Sequence, residues 1–265
     1  MPRRRIRHAP IARALALAAL LSAVLGATLV TPAAASAAAK SGGYRIDLAG
    51  RGDFVAQTNF VQCVGASMQM MLNIAGPTTD RTAKTQARLQ VLARSLSGPT
   101  RAGFERKGAS VRGWSAGLNQ LGAGPYRLVG AATLDEAMRV AAVSIRSTRK
   151  PVGLLMWAGR HAWVMSGFEA TADPARTSDF RVTRAVVLDP LYPYGSSRWG
   201  ASPKPRQALT VAALGEQFVP RRRGVFPGAL PGTEGAATLS ALSGMYVLVL
   251  PYIPTPTARL VPIAA

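Results

Sequence analysis

The first regular pattern along the chain is an apolar face with the spacing of an α-helix, and it begins at Cys63. Apolar residues then recur at intervals of three or four positions, with one adjacent pair: Val64, Met68, Met71, Leu72 and Ala75. This spacing places them on one face of a 3.6-residue period, and Gly76-Pro77 ends the pattern. The sequence therefore predicts a helix whose first residue is a cysteine.

Three more helices are predicted before residue 150. The second follows Thr79-Asp80 as its cap, the third runs from Ser110 to Gly122, and the fourth begins at the capping box Thr133-Leu-Asp-Glu136 and ends near Ile145. A short fifth helix is predicted near residues 211–218.

After Lys150-Pro151 the pattern changes to short runs that are rich in Val, Leu and aromatic residues. These runs predict strands at residues 152–157, 162–168, 181–188 and 245–250. Residues 40–58 are predicted to be irregular or an edge strand, and residues 190–240 to be a long Pro- and Gly-rich loop region. Helices followed by antiparallel strands indicate an α+β fold, in a single domain over residues 38–265.

Residues 1–37 have the three-part composition of a secretory signal peptide. An N-terminal basic group, Arg3, Arg4, Arg5 and Arg7, precedes an apolar stretch over residues 14–30, and Ala35-Ser36-Ala37 fits a cleavage site of the A-x-A type. We therefore expect a secreted or cell-surface protein that has no transmembrane span once the signal is removed. An uncleaved N-terminal anchor is the alternative, and the choice between the general secretory and twin-arginine routes stays open.

The chain is strongly basic, with 32 Lys and Arg against 12 Asp and Glu and a formal net charge of +20. Residues 1–37 hold five of the basic residues and no acidic one, so the remainder keeps a charge of +15. Such a surface attracts anions, which makes an anionic polymer of the cell surface one expected partner. The alternative is a compositional bias toward Arg, because the basic residues are scattered apart from Arg221-Arg222-Arg223. Aromatic residues do not alternate with them, so nucleic acid is not an expected partner.

Composition also limits the kinds of site. One cysteine and two histidines are too few for a zinc finger or for an internal disulfide framework. The Gly-rich loops that bind phosphate groups do not occur in the sequence. We therefore expect neither a metal ion nor a cofactor.

Beyond residue 37 the chain holds one cysteine, Cys63, and one histidine, His161. A thiol attacks as its thiolate, and an imidazole beside it takes up the proton and returns it to the leaving group. Cys63 begins a predicted helix, where free N–H groups and the helix dipole stabilise an anion. Gln57 lies six residues earlier, near enough to donate to the oxyanion of acyl transfer. Taken singly, the two residues are also explained as a buried thiol and a histidine with satisfied hydrogen bonds.

His161 begins one predicted strand, and Asp189 directly follows the next one. In antiparallel neighbours the end of the second strand lies beside the start of the first. We therefore expect Asp189 to hold the imidazole through its second nitrogen, as the third member of a catalytic triad. Capping of the turn before Pro190 is its alternative role.

Three blocks of sequence together resemble the papain-like cysteine peptidases over about residues 50–195. They are Gln57-x5-Cys63-Val-Gly-Ala-Ser67-x-x-Met70, Gly-Arg-His161-Ala-Trp-Val and Val-Leu-Asp189-Pro. The resemblance is to the bacterial branch that is related to the double-glycine leader peptidases of bacteriocin export. It implies a papain-like fold, with a helical half that carries Cys63 and a sheet half that carries His161 and Asp189. It also implies hydrolysis of peptide bonds through an acyl-thioester.

The function expected from the sequence is therefore that of a secreted cysteine peptidase with a peptide or protein substrate. Cys63 is the expected nucleophile, His161 the acid and base, Asp189 the orienting residue and Gln57 the oxyanion donor. Two alternatives stay open. One is an amidase or transpeptidase that acts on cell-wall peptides, and the other is a non-catalytic module of the same fold that binds peptides.

Overall fold

A seven-stranded sheet is the main element of the computed structural model, which describes residues 43–77, 79–100, 107–230 and 238–254. All of its strand pairs are antiparallel, in the order β2-β9-β3-β4-β5-β8, and β1 pairs with β4. The strands are β1 (Tyr44–Asp47), β2 (Tyr126–Ala131), β3 (Val152–Met156), β4 (His161–Ala170), β5 (Val182–Leu188), β8 (Gln207–Thr210) and β9 (Tyr246–Pro251). Two short strands, β6 (Gly195–Ser196) and β7 (Gly200–Ala201), form a separate hairpin.

Five α-helices and one 3-10 turn at Leu239–Leu242 complete the described elements. The helices are α1 (Cys63–Ala75), α2 (Ala83–Ser95), α3 (Val111–Gln120), α4 (Leu134–Thr148) and α5 (Val211–Gly215). The last four begin after a Thr or Ser whose side chain accepts a hydrogen bond from a backbone N–H of the first turn: Thr82, Ser110, Thr133 and Thr210. Helix α1 has no such side-chain cap.

The helices pack on both faces of the sheet. Along β9, Val247 and Val249 join the cluster that contains buried residues of α1, α2 and α3, whereas Leu248 and Leu250 join the cluster that contains residues of α4 and α5. Successive residues of a strand point to opposite faces, so β9 is buried on both sides. Helices α1–α3 therefore cover one face, and α4 and α5 cover the other.

The structure confirms the α+β class, and it confirms α1, α3 and α4 at their predicted starts. The order of helices first and strands second is wrong at β2, which lies between α3 and α4. Strand β1 precedes α1 and, among the described strands, pairs only with β4, so residues 40–58 contain the edge strand that was one of their two predicted states. The expected cap of α2 is also wrong. Asp80 accepts from Thr82 N–H and Thr85 Oγ1, and the helix begins only after Thr82.

The region predicted as a long loop, residues 190–240, contains β6, β7, β8 and the short α5, which ends at Gly215 rather than near residue 218. The expected signal peptide and its cleavage site, in residues 1–37, lie outside the described residues. Within the described ranges, no helix combines the length and the apolar character needed to cross a membrane.

Candidate active site

The N-terminus of α1 presents Cys63 together with unpaired backbone donors. The N–H of Gly65 donates to Gln90 Oε1 at 2.9 Å, and the N–H of Ala66 donates to Gln62 O at 3.0 Å. Within the described part of the chain, the N–H groups of Cys63 and of the next residue have no acceptor. Two donors and the positive end of the helix dipole therefore lie beside the thiol.

Ser67 fixes α1 against β4. Its Oγ donates to the carbonyl oxygen of Ala162 at 3.1 Å, in a buried contact between residues 95 positions apart in sequence. Ser67 lies one helical turn after Cys63 on the same face of α1. Ala162 directly follows His161. The bond therefore holds the first turn of α1 beside the start of the strand that carries the histidine.

His161 is the first residue of β4 and follows a tight turn from β3. It pairs with Met156 across the two strands, and Met156 O accepts from the N–H groups of Gly159 and Arg160, each at 3.0 Å. Trp157 in this turn has φ of 56°, and Gly159 has φ of 100°. A left-handed backbone costs a residue with a side chain about 1–2 kcal/mol, so the surrounding contacts must hold Trp157 in place.

Trp157 covers one face of the His161 ring. The two ring centroids are 4.1 Å apart and the ring planes meet at 23°. Gln217 binds Trp157 twice, because its Oε1 accepts from the indole Nε1 at 2.9 Å and its carbonyl oxygen accepts from the backbone N–H of Trp157 at 3.0 Å. Neither residue belongs to the predicted site. The contact joins positions 60 residues apart, and no local pattern near Gln217 indicates it.

His161 and Asp189 lie together, as the pairing of neighbouring strands predicts. Nε2 of His161 is 2.6 Å from Asp189 Oδ1, and the two side chains are 4% and 0% exposed. The contact follows from the antiparallel register of β4 and β5, which sets Val164 opposite Leu188. Asp189 Oδ1 also accepts from Leu191 N–H at 2.8 Å, so the same oxygen both contacts the imidazole and caps the turn.

The Cys63 thiol interacts with the same imidazole and helps to raise its pKa. Because Asp189 occupies Nε2, the nitrogen left for the thiol is Nδ1. Burial is the largest single effect on the ring and lowers the pKa of His161. The hydrogen bonds to Asp189 and Cys63, with the charges of both partners, outweigh burial and raise the pKa of His161 to about 9. The imidazole is therefore protonated at neutral pH, beside a cysteine that is partly exposed.

Gln57 lies between the end of β5 and the start of α1. Its backbone N–H donates to Pro190 O at 2.7 Å. Its Nε2 donates to Asn59 O at 2.8 Å, and the same oxygen accepts from Gln62 N–H at 3.3 Å. Gln62 immediately precedes Cys63, so the Gln57 amide lies at the N-terminal end of α1.

The neighbouring glutamine is engaged differently. Gln62 Oε1 accepts from Thr58 Oγ1 at 2.5 Å. The Gln57 amide uses only one of its two N–H groups for Asn59, and the other has no acceptor among the described residues. The structure therefore places two glutamine amides at the N-terminal end of α1, and each keeps an N–H group without an acceptor among the described residues.

No protein-family model matches the sequence, and no curated protein or solved structure matches it. Among the described residues, no group of three or more His, Cys, Asp or Glu is arranged to hold a metal ion. The reactive groups that the structure does bring together are a thiol, an imidazole and a carboxylate, with an amide and backbone donors beside them.

Proposed function

We propose that this chain is a secreted cysteine peptidase of papain-like fold that forms an acyl-thioester on Cys63. The observation that carries the proposal is the position of the His161 ring, which contacts Asp189 through Nε2 and lies beside the first turn of the helix that begins at Cys63. A nucleophile, an imidazole and an orienting carboxylate in this order are the parts of a catalytic triad. The papain-like assignment is supported by a thiol at a helix N-terminus that packs against a strand bearing the imidazole.

In the acylation step, the Cys63 thiolate attacks the carbonyl carbon of the scissile bond, and the π electrons move onto the oxygen. The N–H of Cys63 and Nε2 of Gln57 donate to this oxyanion. The C–N bond then breaks as Nδ1 of His161 transfers its proton to the leaving nitrogen. An amine departs, and an acyl-thioester and a neutral imidazole remain.

In the deacylation step, Nδ1 of His161 takes a proton from a water molecule whose oxygen attacks the thioester carbon. The C–S bond breaks, the acid product leaves, and the thiolate and imidazolium are restored. Asp189 stabilises the imidazolium at the start and the end of the cycle. This agrees with the raised pKa of His161, because the ring must carry a proton at neutral pH in order to give it to the leaving nitrogen.

The test is cleavage of a synthetic peptide library, followed by mass spectrometry, with the wild type beside Cys63→Ala and His161→Ala. We expect each substitution to lower turnover by about 10⁴-fold or more, because the members of a triad act as a unit. Arg81→Gln, at an exposed position on α2's N-terminal side, is the surface control. Full activity in His161→Ala would refute the mechanism. Ligated peptides would identify a transpeptidase, and binding by the wild type without cleavage would identify a binding module.

A further inference from the structure

Three exposed arginines border the turn that leads into His161. Arg160 is the last residue of that turn, and Arg222 and Arg223 lie in the segment that packs against it. We call these three residues the arginine rim. The ion pairs of the described residues involve other basic side chains, so no described carboxylate neutralises the rim.

The rim is held in place by backbone hydrogen bonds. The N–H of Arg222 donates to Ala158 O at 3.1 Å, inside the turn before His161. The neighbouring Arg221 donates its N–H to Met245 O at 2.7 Å and accepts from Gly244 N–H at 3.0 Å. These bonds fix where the two arginine side chains leave the backbone, so a ligand does not need to order the segment when it binds.

The segment of the chain around Arg222 and Arg223 contains few acidic residues. Glu216 is the only acidic residue between Pro190 and Leu230, and it forms no ion pair with a described residue. A cluster of cations without compensating carboxylates produces a positive potential that attracts anionic groups. The rim therefore differs from the paired arginines of the sheet, such as Arg184 and Arg206.

The mechanism indicates which part of a substrate meets the rim. Nδ1 of His161 must reach the leaving nitrogen, so the residues that follow the scissile bond lie on the histidine side of the thiol. The turn at residues 157–160 and the segment packed on it form that side. We propose that the arginine rim selects peptides that carry Asp or Glu shortly after the scissile bond. This inference rests on the proposed peptidase function.

The first experiment compares kcat/KM for matched peptides built on a sequence that the enzyme cleaves. One pair carries Glu or Gln after the scissile bond, and a second pair carries Glu or Gln before it. For the wild type at about 0.05 M salt, we expect a Glu/Gln ratio of about 10 after the bond and of about 1 before it, the scale of two exposed charge pairs. The first ratio should fall toward 1 at about 0.5 M salt, because screening shortens the reach of the charges.

The double variant Arg222→Gln/Arg223→Gln should lower the ratio after the bond to about 1. The matched control is Arg81→Gln/Lys84→Gln, which removes the same charge from two exposed positions. Both control positions follow Asp80, whose N–H donates to Asn73 Oδ1 at 2.9 Å. Asn73 lies ten residues after Cys63 in α1, which is about 15 Å along the helix. The control should keep the wild-type ratio. A ratio that the rim variant leaves intact, or a Glu preference only before the bond, would overturn the proposal.

A binding arm does not depend on turnover. Cys63→Ala protein, with and without the two rim substitutions, is titrated with fluorescein-labelled hexaglutamate and hexaglutamine peptides and followed by anisotropy. We expect hexaglutamate to bind about tenfold more tightly, and the difference to disappear without the rim arginines. Equal binding of the two peptides would overturn the proposal, as would rim-dependent binding of phosphatidylglycerol vesicles without any peptide preference. If no peptide is cleaved by the wild type, the proposed function fails, and this arm still decides whether the rim binds acidic peptides.

Discussion

Asp189→Asn should lower the pKa of His161 and bring the alkaline limb of activity to lower pH. Asparagine keeps an oxygen that can accept from His161 Nε2 and from Leu191 N–H, the two bonds of Asp189 Oδ1. Asp189 Oδ2 is buried and has no hydrogen-bond partner among the described residues, so an NH2 group in its place breaks no bond. The substitution therefore removes the charge and leaves the contact.

The size of the shift follows from the opposing effects on the ring. Burial alone lowers the pKa of His161, and the hydrogen bonds and charges of Asp189 and Cys63 raise it from 6.5 to about 9. An opposite charge at this range shifts a pKa by about 1–3 units. Without the carboxylate charge we expect His161 to titrate between about 6 and about 8. The alkaline limb of kcat/KM should move by a similar amount, because the proposed mechanism requires the imidazolium.

The direct assay follows the Cε1–H resonance of His161 by NMR from about pH 5 to about pH 11. The full chain contains only one other histidine, His8, so a His8→Gln variant assigns the two signals. Thermal unfolding and circular dichroism show whether Asp189→Asn keeps the fold. An unchanged midpoint near 9 in the variant, or a wild-type midpoint near 6.5, would refute the assignment of the shift.

Four further results are expected. Gln57→Ala should lower kcat by about 10²–10³-fold with little change in KM, as measured on the best library peptide, because it removes one oxyanion donor. Ser67→Ala should lower the free energy of unfolding in urea by about 1–3 kcal/mol, since it leaves a buried carbonyl without its partner. Gly113→Ala should cost about 1–3 kcal/mol or more in the same assay, because an added Cβ would lie 1.9 Å from Ala93 O. Between pH 6.5 and about 9 the folded state holds the His161 proton and the unfolded state does not. The melting temperature of the wild type should therefore fall as pH rises through this range, and His161→Gln should weaken that dependence on pH.

The fold was predictable where neighbouring residues decide it. The period of apolar residues after Cys63, and the Ser and Thr caps of α3 and α4, act over one or two helical turns, so the sequence shows them directly. Strand β2 is not predicted, because Arg127, Gly130 and Ala131 interrupt its apolar run and its burial does not alternate cleanly over residues 126–131. Thr79 and Asp80 both belong to residue types that cap helices, but Thr82 caps α2 because the Asp80 carboxylate binds Thr82 N–H and Thr85 Oγ1.

The candidate reactive residues and one of their contacts follow from the sequence alone. His161 and Asp189 belong to strands that follow each other along the chain, so antiparallel pairing alone predicts that they meet. Only the tertiary structure decided the rest. The Ser67 bond that holds α1 against β4 joins positions 95 residues apart. The Trp157 ring covers His161 while Gln217, 60 residues away in sequence, binds the indole. These contacts depend on how the helices pack on the sheet, which no local period encodes, because packing depends on the shapes of surfaces that form only after the chain has folded.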